Sequence, residues 1–438
     1  VAPTKRRISV TFEARGVTGP SLSRRSLLRG GAAAGLAALA GCGAVAAAGP
    51  WAVPVPDGVS HQDVAVVRPP HRDVAIEHLR DLLERAEPIV ERARSAGVFE
   101  GERFLGYEGS VASAREFLDG SHAASFDTIS EARYHVRYVA ETFGVAAAGL
   151  DDVSIEPSGA AQTGPAAGIE DLVGTLSYES DAPAETMVWI DLVESWLHAA
   201  MIAGKNAEID RDELAEKPDR VRKKALARAV RNHERSVRFL SDARQFYRTF
   251  RARQSAPASI GLTAARETYR ERAQESSHDN EWYHERHTDE ETPRDTAWNR
   301  LLTLHPGENS LDDAEWARRD GLSGLETVQL AEAAVEFQGF STGRNAAERL
   351  RGRQSVPKRL LLDAKRRAVD GAYRIAAAGD PFEKWLLRRA AMYLSKGDRF
   401  LTDGEILDNY PRAHALACYG VAVGVVDAIP SVASVVTD

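Results

Sequence analysis

Cysteine is nearly absent: Cys42 and Cys418 are the only two in a chain of 438 residues. A disulfide framework and a cysteine-based metal site are both excluded by that count. Methionine is almost as scarce, with three, and the nine lysines leave arginine to supply most of the 56 basic residues. After Cys42 no apolar run reaches the ~20 residues that a membrane-spanning helix needs. The best, Ala415–Val426, is short and is followed by Asp427 and Pro430. Strand alternation longer than a few residues is missing, and so is a fixed repeat period, which excludes a regular solenoid. Common active-site signatures are missing too. Gly321-Leu322-Ser323-Gly324 falls short of a nucleophile elbow. There is no Gly-x-x-x-x-Gly-Lys loop, no Gly-x-Gly-x-x-Gly fingerprint and no His-Glu-x-x-His helix.

What is present reads as helix. Hydrophobic content of 43% and charged content of 27% are globular values. Leu79, Leu82, Leu83, Ala86, Ile89, Val90 and Ala93 recur at three- and four-residue steps. Asp127 is a candidate cap for a helix that Gly144 would stop. Pro183 opens another, and Pro218 begins the longest, running to about Arg253. Asp380-Pro381-Phe382-Glu383 has the form of a capping box, with Gly397 ending that helix. Ala413–Val426 is apolar nearly all round and reads as a central buried helix, with Cys418 an inert thiol inside it. The expected fold is all-α, an irregular bundle or array of roughly ten helices.

The N-terminal region reads differently. Ser23-Arg24-Arg25-Ser26-Leu27-Leu28 leads into the short Ala/Gly/Leu run Gly30–Gly41, which ends in Leu39-Ala40-Gly41-Cys42. A basic start, a short apolar run and small residues before the end describe a secretory signal. Residues 21–42 resemble the signals of twin-arginine lipoprotein precursors, especially those of halophilic archaea. The resemblance implies export of a folded protein through Arg24 and Arg25, then lipid attachment at Cys42. The net charge of −8 with abundant Arg and Ala suits such a source. The expected organisation is a signal over 1–41, a lipid-anchored flexible tether over 42–72 and a helical domain over 73–430. That domain is either undivided or split into subdomains 73–149 and 184–430 by a long loop, 150–183.

Candidate chemistry is sparse. His278, Glu281, His284 and His287 lie in the densest polar stretch, His278–Glu290. On a helix, a His–Glu–His set at three-residue steps shares a face and can hold Zn or Fe. A solvated polar segment is the plainer reading. Lys217–Arg253 carries 13 basic residues against Asp219, Glu234 and Asp242, and the following Arg266–Glu291 is acidic. Pairing between these two helices is expected, with Arg231, Arg235, Arg238 and Arg244 in ion pairs, so a nucleic-acid partner is not. Trp189, Trp196 and His198 share a helix, and core packing is favoured there over an aromatic platform. The function expected is that of a non-enzymatic surface lipoprotein: a helical binding or scaffold module for an envelope protein or ligand. It would sit on the outer face of the cell membrane. The rival is a metal-dependent enzyme or metal-capture protein using the His278–Glu290 cluster.

Replacing Arg24 and Arg25 with Lys is expected to leave precursor in the cytoplasm, and Cys42→Ser to block lipid attachment. Cell fractionation with immunoblotting checks both. Wild-type protein recovered in the soluble cytoplasmic fraction is the contrary outcome.

Overall fold

The computed structural model describes residues 61–99, 105–150, 165–208, 216–254, 261–276, 292–402 and 409–437. All of them lie in one compact unit. Among the described residues every regular element is helical. In order they are α1 (His61–Val64), α2 (Pro69–Ser95), α3 (Leu105–Leu118), α4 (Phe126–Gly149), α5 (Pro165–Thr175), α6 (Pro183–Lys205) and α7 (Asp219–Arg251). Then follow α8 (Leu262–Ser276), α9 (Pro293–Leu304), α10 (Glu308–Arg319), α11 (Ser323–Glu348), α12 (Lys358–Ala378), α13 (Pro381–Thr402) and α14 (Asn409–Ala433). The fold is all-α, as expected, with α5 inside the 150–183 stretch that reads as a loop.

Local chemistry accounts for the helix ends. Pro occupies the first turn of α2, α6 and α9, where its missing N–H costs nothing. α4 is capped by Ser125, whose hydroxyl accepts from Thr128 N at 3.2 Å, so the cap lies two residues before Asp127. The capping box of α13 forms as expected: Glu383 N donates to Asp380 Oδ1 at 2.7 Å, and Asp380 N to Glu383 Oε2 at 2.9 Å. Two glycines expected to stop helices do not. α4 continues through Gly144, because that glycine faces Ala227 of α7, where a Cβ would come within 2.6 Å of its Cα. α13 likewise runs on past Gly397, which packs under the Tyr419 ring.

α7 is the axis of the first group of helices, packed along both α4 and α6, while α4 also carries α2 and α3. Its buried face is not purely apolar. Asp242 is fully buried and meets His71 Nε2 at 2.6 Å, the Arg238 guanidinium through two hydrogen bonds, and Arg133 at 3.9 Å. Burial alone would raise the Asp242 pKa. Arg238, the His71 hydrogen bond and Arg133 overcome it and hold the carboxyl far below its ordinary value. Residues 61–72 therefore belong to the fold, although they read as tether: Ala65 and Val67 are buried and His71 docks on Asp242.

The basic face of α7 is largely paired, but not with the segment expected. Arg231 meets Glu141 at 3.3 Å, Arg244 meets Asp171 at 3.8 Å, and Arg238 holds Asp242. Arg235 has no carboxylate partner among the described residues and lies 5.3 Å from the Phe239 ring centroid. α8 packs on α11 instead of α7. Its Ala265, Tyr269 and Ala273 form a buried stripe at four-residue steps, and Tyr269 donates to Val432 O at 2.7 Å. That apolar match decides where α8 lies, and Arg266 and Arg270 then pair with Glu326.

The second group is built around α14, which contacts α9, α11, α12 and α13. By length and composition Tyr410–Val436 could cross a membrane, but 83% of its apolar window is buried inside the protein. It is the central helix expected from Ala413–Val426, and Cys418 is buried within it, its thiol pKa raised by desolvation. α14 crosses α11 at a row of glycines. Gly343 of α11 meets Gly420 of α14, where a Cβ on Gly420 would fall 2.8 Å from Gly343 Cα, while Gly339 faces Val421 and Val425 and Gly424 faces Gln338 and Thr342. The two backbones touch there.

Gly420→Ala is expected to destabilise the fold by about 1–3 kcal/mol through overpacking, outweighing the helix-propensity gain of about 1 kcal/mol. Gly109→Ala, whose Cβ would meet nothing within 4 Å, is expected to stabilise by up to about 1 kcal/mol. Urea unfolding of both variants reads the opposite signs.

Candidate functional site

The end of α10 and the start of α11 create the site. α10 closes in a Schellman turn: Leu322 N donates to Ala317 O at 2.9 Å and Gly321 N to Arg318 O at 3.2 Å, with Gly321 at φ +77°. α11 starts immediately and has no side-chain cap of its own. Its exposed N–H groups are met from another helix. Glu194, in the middle of α6, accepts from Leu325 N through Oε2 at 2.7 Å. Gly324 makes this approach possible, since a Cβ there would lie 2.6 Å from Glu194 Oε1.

Glu194 also borders a pocket of about 240 Å³ between α5, α6, α8 and the α10–α11 turn. Val173, Leu176 and Leu262 supply its apolar wall. Ser177, Tyr178, Glu179 and Ser323 supply the polar one. Among the described residues no lysine, arginine or histidine lines it. Tyr178 is held in place by its surroundings: its ring packs 5.7 Å from Phe250, and the neighbouring Ser177 N donates to Tyr247 OH at 2.9 Å. The Tyr178 hydroxyl is buried without a hydrogen-bond partner. It lies close enough to Glu194 for each to perturb the other's titration. A buried hydroxyl left unpaired at a cavity wall is costly, and a ligand that pairs it removes the cost.

Electrostatics sharpen the contrast between the two acids of α6. Burial pushes Glu194 up to about 7; the backbone hydrogen bonds from Leu325 N and Gly324 N and the neighbouring Tyr178 hydroxyl pull down without winning, and Asp191 adds to the rise. Burial also pushes Asp191 upward, but Arg388, His61 and Arg389 overcome it and hold it below its ordinary value. Asp191 belongs to an ionic centre that includes two arginines. His61 Nε2 lies 2.8 Å from it, Arg388 and Arg389 of α13 pair with Glu332 of α11, and Ser310 and Tyr393 donate to Glu336. That centre clamps α6, α11 and α13 together. A larger, more open cleft of about 450 Å³ includes Arg272, Gln338, Thr342 and Asp427, but none of its polar side chains is buried and unpaired.

The residues singled out from sequence fare unevenly. Arg24, Arg25, Cys42, His278, Glu281, His284 and His287 lie outside the described residues. Among the described residues no group of three or more His, Cys, Asp or Glu side chains is placed to hold a metal. Trp189 and Trp196 do not form a platform. Trp189 packs against Phe250, while Trp196 lies under the Arg133 guanidinium at 3.7 Å and beside Phe239. His198 faces Asp320 at 3.5 Å. Glu194 and Tyr178 were not singled out. The signal was available: Asp191 and Glu194 interrupt the run Met187–Leu197, and ionisable groups inside an apolar stripe are buried only where something meets them.

Because the folded state holds a proton on Glu194 that the unfolded chain releases near pH 4.5, stability is fully present below that value and falls as pH rises towards 7. The full loss is about 3 kcal/mol. Glu194→Gln is expected to abolish this fall and to exceed wild type in stability at pH 8. Urea unfolding at pH 5 and pH 8 measures it; an unchanged pH dependence in the variant contradicts it.

Residues 70–257 match a family described as a domain of unknown function (DUF8262), and residues 260–438 match a second so described (DUF8264). The two matches meet next to Pro257, so the first takes α2–α7 and the second α8–α14, with α6 bonded across the junction to α11. No curated protein and no solved structure matches the chain.

Proposed function

We propose that the protein is a lipid-anchored, extracytoplasmic binding module whose ligand sits in the Glu194 pocket. One observation carries the seat: a pocket wall that holds an unpaired buried hydroxyl beside a buried carboxyl with a raised pKa. Perturbed titration in a recess is a recognised mark of a functional site. The anchor and the location are supported by the signal-like residues 21–42, with Cys42 as the attachment point. A binding role is favoured over catalysis because the pocket offers one buried carboxyl and neither histidine nor cysteine to pair with it as base or nucleophile. The metal-dependent alternative rests on the spacing of His278, Glu281, His284 and His287, and elemental analysis of the purified full chain tests it.

The seat is tested with Ser323→Trp, which places a large ring at the mouth on an exposed position. A small-molecule screen by thermal shift on the full chain is expected to return compounds that stabilise wild type and not the variant. At one hundred times Kd the effect is about 2.7 kcal/mol. Compounds that shift both proteins equally would place the ligand elsewhere.

A further inference from the structure

We infer that the Glu194 pocket takes a small organic cation, an ammonium group carrying a short apolar tail. The inference rests on that pocket being the ligand seat, and it follows from what the wall offers and lacks. Its ionisable lining is Tyr178, Glu179 and Glu194, and among the described residues no cationic side chain lines the cavity. The groups that face Glu194 do not supply a positive charge either. Asp191, three residues back on α6, is negative and is neutralised by its own arginines. The cations that α8 brings to the first turn of α11, Arg266 and Arg270, are bound to Glu326. From the segment after α5 come Tyr178 and Glu179, and from α7 the Tyr247 hydroxyl, which is spent on Thr175 O at 2.8 Å. Among the described residues Glu194 is a buried carboxyl with hydrogen bonds and no counter-ion.

An anion is disfavoured twice. Two carboxyl side chains border the cavity, and the helix N–H group that could receive an anion, Leu325 N, already donates to Glu194. A neutral hydrocarbon fits the Val173, Leu176 and Leu262 wall but leaves the Tyr178 hydroxyl unpaired. An ammonium satisfies both sides. Its N–H groups reach the carboxylate and the phenol oxygen, and the Tyr178 ring favours a cation on its face. The volume limits the size: about 240 Å³ is the share of roughly eight waters, enough for an amine of about five to eight heavy atoms. A bound cation also favours the ionised form of Glu194, so binding near neutral pH expels its proton and weakens on acidification.

Isothermal titration of the full chain with n-butylammonium, n-butanol and butyrate, in 0.5 M NaCl to hold ionic strength, separates the possibilities. Wild type is expected to bind n-butylammonium at least tenfold more tightly at pH 8 than at pH 5.5, and at least tenfold more tightly than the other two probes. At pH 6.5 the heat should vary with the ionisation enthalpy of the buffer, reporting the released proton. Glu194→Gln is expected to lose at least tenfold in n-butylammonium affinity and to lose the pH dependence. Tyr178→Phe, which removes only the hydroxyl, is expected to lose severalfold and to keep the pH dependence. If n-butanol or butyrate binds as tightly as n-butylammonium and is blocked by Ser323→Trp, the cation is wrong and the seat stands. If no probe distinguishes wild type from Ser323→Trp, both the seat and the cation are overturned.

Discussion

The crossing of α11 on α14 sets the rest of the structure. Backbones approach that closely only where side chains are removed from both faces, and Gly339, Gly343, Gly420 and Gly424 remove them. The contact commits one face of α11 to α14 and leaves its other faces to meet other helices. Glu332 and Glu336 then point to the arginines of α13, Glu326 to those of α8, and the N-terminus of α11 to α6. Because α11 and α14 cannot slide past one another without a clash, the position of each glutamate is fixed to within a fraction of a turn.

That precision explains how the fold accommodates so many buried charges. Taking a carboxylate and a guanidinium out of water costs several kcal/mol per ion, and their attraction repays it only in good geometry. Two such centres occur here, one at Asp242 with His71, Arg238 and Arg133, the other at Glu332 and Glu336 with Arg388 and Arg389. Each joins helices far apart in sequence. The first ties α2 and α4 to α7, and the second ties α13 to α11 and, through Asp191, to α6. An apolar core accepts many registers of similar energy. A buried charge whose partner is displaced is heavily penalised, so these centres select one register among them.

The helical class, most helix starts and the central helix were legible in the sequence because each depends on local chemistry: Pro183, the Asp380–Glu383 box, the apolar run Ala413–Val426. What local chemistry could not convey was the meaning of glycine and of buried acids. Gly144 and Gly397 have the look of helix stops and are close-approach points, which only the facing helix reveals. α11 escaped notice for the same reason. Its glycines and four glutamates dilute the apolar period, yet all of them but Glu348 are buried. Charge matching also misled. The acidic segment after α7 suggested a pair with it, but Ala265, Tyr269 and Ala273 placed α8 on α11, since exposed ion pairs contribute only about 0–1 kcal/mol and apolar burial outweighs them.

The candidate site follows from a conflict between these demands. α11 must begin where the α10 turn delivers it, and with Gly324 in its first turn it brings bare N–H groups against α6. A side chain from α6 has to meet them, and Glu194 does so at the cost of burying a carboxyl without a cation. Asp191, one turn earlier on the same helix, is compensated by Arg388 and His61; Glu194 faces the pocket instead. Gln at position 194 would still accept from Leu325 N through its amide oxygen and would carry no buried charge, so stability alone does not require Glu there. Retaining Glu beside an unpaired Tyr178 hydroxyl is therefore a choice that packing does not explain, and it is the property a binding seat for a hydrogen-bonding ligand requires.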